Sequence, residues 1–389
     1  MKTRELVSNV GVKLPQDLVQ CWEKMILTFA RLEPEEKGSR ISRAHVLFRV
    51  LEREADYVKG LWESFTQERG KLTKNLLTAK REAVAYTLGF HLANAARFQM
   101  VLNRVGAANL ESLCQNDEKN SSFELYDVGA GSGAMAQTFL SFIRNHRIST
   151  LRSGRIFLLD ISAPLLDMAA FGVEYLGGRH EIVKKKGRIE EISLRIEESS
   201  TTKIFLLGYI WNEMSKNKAA RSLLLDCLKR LAETHQDVLL VVAEPALQDL
   251  SRQTMEFRDV ICHLGFQPIY PCPAGADCPM LDRTRDWCYG EFAWDRPVIQ
   301  QKIDRVLGIN RFTVGSSAFM FATPHMVQRI SNKGQKSTSQ QKEIGVVVGK
   351  PLRKTRRDGA FDYLVCTESG LIKEAPKKGA VVRLRGEKI

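Results

Sequence analysis

Nowhere does the chain carry a run of apolar side chains approaching the roughly 20 that cross a bilayer. The opening stretch, MKTRELVSNVGVKLPQDLVQCW, lacks the uninterrupted apolar segment of a signal peptide. Its early acids, Glu5 and Asp17, do not suit a transit peptide either. The expectation is a cytoplasmic protein with no membrane partner. Internal repeats are absent. So are tight C-x2-4-C pairs, although there are eight cysteines, and this removes the ordinary zinc-ribbon pattern. In a reducing compartment those cysteines do not read as a disulfide framework. Hydrophobic residues make up 44% and charged residues 26%, which excludes wholesale disorder. A length of 389 residues allows one large domain with attachments, or two or three small ones.

An acidic excess is lacking too, and the positive charge is uneven. Of the net +13, the segment 329–389 supplies +9, from 15 Lys/Arg against 6 Asp/Glu. A basic tail interleaved with strand-like runs points to a polyanion, and nucleic acid is the expected one. Arg353, Lys354, Arg356 and Arg357 form its densest cluster and are the candidate phosphate contacts.

Apolar residues recur at helical spacing from 15 to about 105, most clearly over Lys74 to Val105. Polar Gln115 to Ser122 then breaks the pattern. Short apolar runs alternate with helical stretches beyond it. The strand-like runs are Phe123 to Val128, Arg155 to Leu159, Ile204 to Tyr209 and Val238 to Ala243. The helical stretches are Ala134 to Ile143, Ala163 to Tyr175, Lys218 to Glu233 and Leu247 to Leu264. Such alternation implies an α/β fold with a parallel sheet covered on both faces. Runs at Phe266 to Tyr270 and Ser316 to Thr323 would end the sheet, with an insertion between them. After a linker, Ser331 to Gln340, strand-like runs at Ile344 to Val348, Phe361 to Cys366 and Ala380 to Leu384 suggest a small β module. The expected layout is an N-terminal helical region over 1–115, an α/β domain over 116–328 with a Cys-rich insertion at 271–300, and a basic β module over 329–389.

The segment Asp127-Val-Gly-Ala-Gly-Ser-Gly133 leaves the first of these strands and enters a helix. Gly129, Gly131 and Gly133 let the backbone approach a ligand with no Cβ in the way. The helix start offers N–H groups and a positive dipole end to a carboxylate. In a methyltransferase that carboxylate is the methionine moiety of S-adenosylmethionine, with Asp127 near its ammonium group. The next strand ends at Asp160, where a carboxylate can accept both ribose hydroxyls. The spacing G-x-G-x-G is not the G-x-G-x-x-G of dinucleotide binders, which favours the methyl donor over NAD. The fold expected is a class I methyltransferase, Rossmann-like sheet. Asn212, Glu213 and Glu244 fall near its carboxyl edge. Glu213 and Glu244 are candidates for a catalytic group, with a structural role equally open for each, so activity stays undecided.

Cys272, Cys278 and Cys288 are spaced C-x5-C-x9-C inside the insertion, and Cys366 in the tail is the candidate fourth ligand. Four thiolates hold zinc or a 4Fe-4S cluster. The missing tight pairs favour the cluster, His263 offers a zinc alternative, and free thiols remain open.

These segments together resemble the methyltransferase-like small-ribosomal-subunit assembly factors, the mitochondrial Rsm-type proteins (methyltransferase-like protein seventeen among them) and their bacterial relatives. The resemblance runs from about Arg81 to the C-terminus. It rests on Arg81-Glu-Ala-Val-Ala-Tyr86, the glycine turn, Trp211-Asn-Glu-Met214, Ala243-Glu-Pro245, Pro271-Cys-Pro, Cys278-Pro, Trp287-Cys288 and the distal Cys366. The chain departs from the family pattern at Ala246, commonly glycine, and at Tyr289-Gly290, commonly His-Phe. The resemblance implies S-adenosylmethionine binding, a 4Fe-4S cluster on the four cysteines, and association with the small ribosomal subunit and its rRNA during assembly. A monomer off the ribosome is expected, in bacterial cytoplasm or, alternatively, the mitochondrial matrix. The competing readings are an active RNA methyltransferase and a small-molecule methyltransferase.

Overall fold

The computed structural model describes residues 11–30, 43–66, 77–115, 122–188, 201–214, 216–234, 236–272, 277–334, 346–348, 363–367 and 370–374. The chain enters through a two-residue strand, β1 (Val12–Lys13), and helices α1 (Gln16–Phe29) and α2 (Arg43–Thr66). A long helical stretch follows as α3 (Lys80–Tyr86), a π-helical turn (Thr87–His91) and α4 (Leu92–Val105), and Gly106 at φ +81° turns it into α5 (Ala107–Leu113). The alternating part is β2 (Ser122–Val128), α6 (Ala134–Asn145), β3 (Ser153–Asp160), α7 (Ala163–Leu176), β4 (Arg179–Lys186), β5 (Thr202–Gly208), the short α8 (Trp211–Met214), α9 (Lys218–Glu233), β6 (Val238–Pro245) and α10 (Gln248–His263). Strands β7 (Gln267–Tyr270) and β8 (Gly290–Asp295), α11 (Val298–Val306), β9 (Thr313–Ala322) and α12 (Pro324–Gly334) close this part. The tail contributes β10 (Val346–Val348), β11 (Tyr363–Thr367) and β12 (Gly370–Glu374), an antiparallel three-stranded sheet.

The nine-stranded main sheet runs β4-β3-β2-β5-β6-β9. The first five are parallel, and β9 enters antiparallel against β6. This is the α/β, methyltransferase-type sheet predicted, with its switch point between β2 and β5. Side chains alternate cleanly across it. Phe123, Leu125, Ile204, Leu206, Leu239 and Val241 join the core shared with the N-terminal helices, α6 and α7. Tyr126, Val128, Phe205, Leu207, Leu240 and Val242 face α8, α9 and α10. Burial on both faces is why these strands read as continuous apolar runs.

Several elements escape sequence patterning. Edge strand β4 is Arg-His-Glu-Ile-Val-Lys-Lys-Lys, charged as sheet edges commonly are, so no alternation marks it. Beyond β9, β7 and β8 lie end to end along the same flank. Tyr270 pairs with Met320, and Gly290 with Ser316. The Cys-rich insertion leaves the sheet through the gap between them. β1 pairs with β8, so residues ahead of the first helix complete the sheet. The linker expected from Ser331 begins inside α12, whose Met326, Val327 and Ile330 pack on the core at helical spacing. In the tail, β12 forms between the expected runs Phe361 to Cys366 and Ala380 to Leu384, where no strand was expected, and Ala380 to Leu384 lie outside the described residues. Among the described residues no helix is long and apolar enough to cross a membrane.

Candidate functional site

The glycine turn joins β2 to α6 and takes backbone conformations that side chains resist. Gly129, Gly131 and Gly133 lie at φ +71°, +52° and +78°. An added Cβ at Gly129 would come within 2.8 Å of Ile210, and one at Gly133 within 2.8 Å of Gln137 and 2.9 Å of Ala169. At Gly131 the nearest atoms belong to Tyr86, at an ordinary 3.5 Å. Gly129 and Gly133 therefore serve close packing, whereas at Gly131 it is the backbone turn that calls for glycine. The segment Arg81 to Tyr86 and the π-helical turn back this cradle. His91 Nδ1 lies 2.9 Å from Ser132 Oγ, and burial holds the imidazole neutral by lowering its pKa to about 3.

Both predicted acids sit in the cradle. Asp160, half-buried at the end of β3, accepts from the Gly131 N–H and the Ser162 N–H, each at 2.8 Å. Each of its oxygens keeps a further lone pair for a hydroxyl. Asp127 is buried and accepts from the Ala136 N–H at 3.2 Å in the first turn of α6. Burial is the largest cause and the Asp160 charge a lesser one in pushing its carboxyl up to about 7. Burial raises Asp160 as well. Two acids that resist ionisation side by side suit a ligand that brings a cation. Ile161, which follows Asp160 directly, is exposed.

Of the two catalytic candidates, Glu244 cannot reach a substrate. It is fully buried at the end of β6, and Asn212 donates to it twice, from its backbone N–H (3.2 Å) and its Nδ2 (2.8 Å). It orients Asn212. Glu213 is exposed on α8, and its charge helps raise the Tyr86 phenol. Tyr209, between β5 and α8, adopts φ +64°, a strained backbone for a non-glycine residue. The guanidinium of Arg97 lies 5.8 Å from its ring centre. No sequence pattern marked Tyr209 or Arg97, because only the register of β5 against β6 and β9 brings them together.

The structure also gathers the predicted cysteines. Cys272 lies two residues after the end of β7, Cys288 two residues before β8, and the shared pairing to β9 brings these ends close. Ser317 of β9 donates to the Cys288 carbonyl at 2.8 Å. Cys272, Cys278, Cys288 and Cys366 are all buried in one apolar cluster, to which β11 contributes Leu364 and Cys366. Burial, then the neighbouring Cys288 and Cys272, push the Cys278 thiol up to about 12. Two residues that the spacing did not reveal complete the corner. Arg258 of α10 is 1% exposed, bonds Asp259 at 2.6 Å and lies against Cys272. Cys262, one turn further along, has its thiol pushed up to about 11 by burial, with Cys272 nearby. His263 stays at the rim of the corner, exposed and 3.5 Å from Asp277, which precedes Cys278. Among the described residues no three His, Cys, Asp or Glu are spaced as a single-ion site. Arg353, Lys354, Arg356 and Arg357 lie outside the described residues.

A family model described as mitochondrial small ribosomal subunit Rsm22 matches residues 80–341. The chain belongs to the Rsm22 family. The Rsm22 match takes in the backing segment, the glycine turn, Asp160, Asn212, Glu244 and the first three cysteines. It ends before β10, so the likeness expected through to the C-terminus stops short of Cys366. Solved structures similar to this Rsm22 chain include several methyltransferases, all at low identity. One, from Listeria monocytogenes, is assigned as a class I S-adenosylmethionine-dependent methyltransferase, with 12% identity, coverage of 84% of this chain and 92% of that one, and a TM-score of 0.37. Another, assigned as an RNA methyltransferase from Pyrococcus horikoshii, has 12% identity, coverage of 51% and 74%, and a TM-score of 0.28. A third is M. capricolum TrmK with S-adenosylhomocysteine, with 10% identity, coverage of 56% and 67%, and a TM-score of 0.26. Among curated proteins, none matches significantly.

Proposed function

We propose that this chain is an S-adenosylmethionine-binding, methyltransferase-like factor that binds the rRNA of the small ribosomal subunit and assists its assembly. The observation that carries the reading is the cradle of Gly131, Asp127 and Asp160, set in a family described by the small ribosomal subunit. S-adenosylmethionine supplies an electrophilic methyl group when bound. The residues around it bind and orient. Gly131 and the start of α6 receive the carboxylate, Asp127 faces the ammonium, and Asp160 takes the ribose hydroxyls. The family description favours the mitochondrial matrix over bacterial cytoplasm.

The cysteine corner is proposed to hold a 4Fe-4S cluster through Cys272, Cys278, Cys288 and Cys366. Four buried thiols in one cluster support it, and so does buried Arg258, whose positive charge offsets the negative charge that four thiolates bring. Exposure of His263 removes support from the zinc alternative. Coordination would tie β11 to the insertion between β7 and β8 and hold the basic tail against the α/β core. Arg353, Lys354, Arg356 and Arg357 are the proposed phosphate contacts.

Full burial of Glu244 and its two bonds from Asn212 favour the assembly role over catalysis. The deciding experiment presents small ribosomal subunits from cells lacking the protein, with labelled S-adenosylmethionine. Co-sedimentation without methyl transfer is the expected result. Label transferred to rRNA would make the chain an RNA methyltransferase, and failure to bind subunits would leave a small-molecule enzyme.

A further inference from the structure

The carboxyl edge of the sheet carries one feature that neither the cradle nor the cysteine corner uses. Phe312 immediately precedes β9 and is 61% exposed. Because β9 is antiparallel to β6 and Ser316 pairs with Pro245, residues ahead of Ser316 project past the carboxyl end of β6. That is the edge on which the glycine turn and Asp160 lie. Arg97, beside Tyr209, donates to the Gly315 carbonyl at 3.0 Å and links the two places.

Phe312 is not a loose side chain at a loop tip. Its N–H donates to Asn310 Oδ1 at 3.1 Å, and its carbonyl accepts from the Trp294 N–H at 3.4 Å. Trp294 Nε1 also donates to the Arg311 carbonyl at 2.7 Å. The guanidinium of Arg296 stands 5.3 Å from the ring centre of Phe312. That guanidinium is itself fixed, donating to Asp304 at 2.8 Å and to Asn310 at 3.4 Å. Buried Asp304 binds Arg311 as well, and Arg311 donates to the Gly89 carbonyl behind the cradle. A rigid aromatic ring is thus displayed to solvent with a cation at its side.

Residues 291–313 hold four cations, Arg296, Lys302, Arg305 and Arg311, against three acids, Glu291, Asp295 and Asp304, of which buried Asp304 takes up Arg296 and Arg311. An exposed ring with a guanidinium fixed at its side suits a planar base next to a phosphate better than an apolar protein surface. We infer that Phe312, framed by Arg296, is a stacking platform for an unpaired base of a single-stranded RNA, with exposed Arg305 near the phosphate track. The inference rests on the rRNA-binding reading and locates a contact within the α/β core, apart from the basic tail.

The test titrates a fluorescently labelled single-stranded adenosine decamer into the full chain at three salt concentrations, for wild type, Phe312→Ala, Phe312→Tyr and Arg305→Ala. Loss of one stacked base should weaken Phe312→Ala roughly 5- to 150-fold at every salt, with its salt slope unchanged. Phe312→Tyr should bind within about threefold of wild type, since its ring still stacks. Arg305→Ala should instead flatten the slope by about 0.7. Thermal melts should coincide, because the ring is exposed. Wild-type affinity in Phe312→Ala overturns the platform and leaves the RNA reading standing. Equal losses in the Ala and Tyr variants also overturn it, since the ring face would not be what matters. No decamer binding by wild type at any salt would sink the RNA reading itself.

Discussion

If the methionine ammonium docks against Asp127, binding must be coupled to a proton. Burial and the Asp160 charge push the Asp127 carboxyl up to about 7, so near neutrality about half of the free protein carries it protonated. The bound cation favours the ionised form, so ligand binding expels that proton. The sign follows: affinity falls as pH drops below 7, and it falls again above about 8 as the ligand's ammonium loses its proton. With a carboxyl titrating at about 7, the ionised fraction rises about fifteenfold from pH 5.5 to pH 7, and the association constant should rise with it. The ligand's own α-amino group, ordinarily titrating at about 7.7–8.0, stays protonated over that window. Calorimetry in two buffers of different ionisation enthalpy reads both the affinity and the proton released, close to one per ligand at pH 6. Asp127→Asn should show weak, flat binding over the same range, while its amide oxygen still accepts from the Ala136 N–H. A flat wild-type profile, or a slope surviving in Asp127→Asn, would refute the assignment.

Gly131→Val should abolish S-adenosylmethionine binding, because a branched residue at φ +52° strains the turn and lies against Tyr86; equal calorimetric affinity would remove the cradle. Cys366→Ser should bleach the visible absorption expected of anaerobically purified protein and lower RNA affinity, with S-adenosylmethionine binding retained. Cys262→Ser should keep its iron, and full iron content in Cys366→Ser would dissolve the link between tail and core. Replacing Arg353, Lys354, Arg356 and Arg357 by Ala should lower the salt slope of RNA binding by about 0.7 per lost phosphate contact. An unchanged slope would make that cluster a solvated surface.

What lay open in the sequence was local. Residues 3 or 4 positions apart encode a helix, and residues 2 apart a strand, so β2, α6, β3 and α7 could be read directly. The three glycines and Asp160 announced themselves because a turn that needs positive φ and an acid at a strand end are properties of neighbouring residues. Even the joint burial of Cys272, Cys278 and Cys288 followed from a spacing within one insertion. The rest belongs to packing between distant residues. Pairing of Val12 with Trp294 completes the sheet edge, and no local pattern in either segment records the other. Arg258 and Cys262 looked like ordinary positions of an amphipathic helix until β7 delivered Cys272 beside them. Glu244 stood open to a catalytic or a structural role until the fold buried it and set Asn212 against both of its oxygens. Phe312 was one aromatic among eighteen phenylalanines, and only the antiparallel entry of β9 carried it past the end of β6 and into solvent. A side chain's chemistry is written in its own residue. Its partners, burial and charge environment come from contacts that close only when segments hundreds of positions apart pack together.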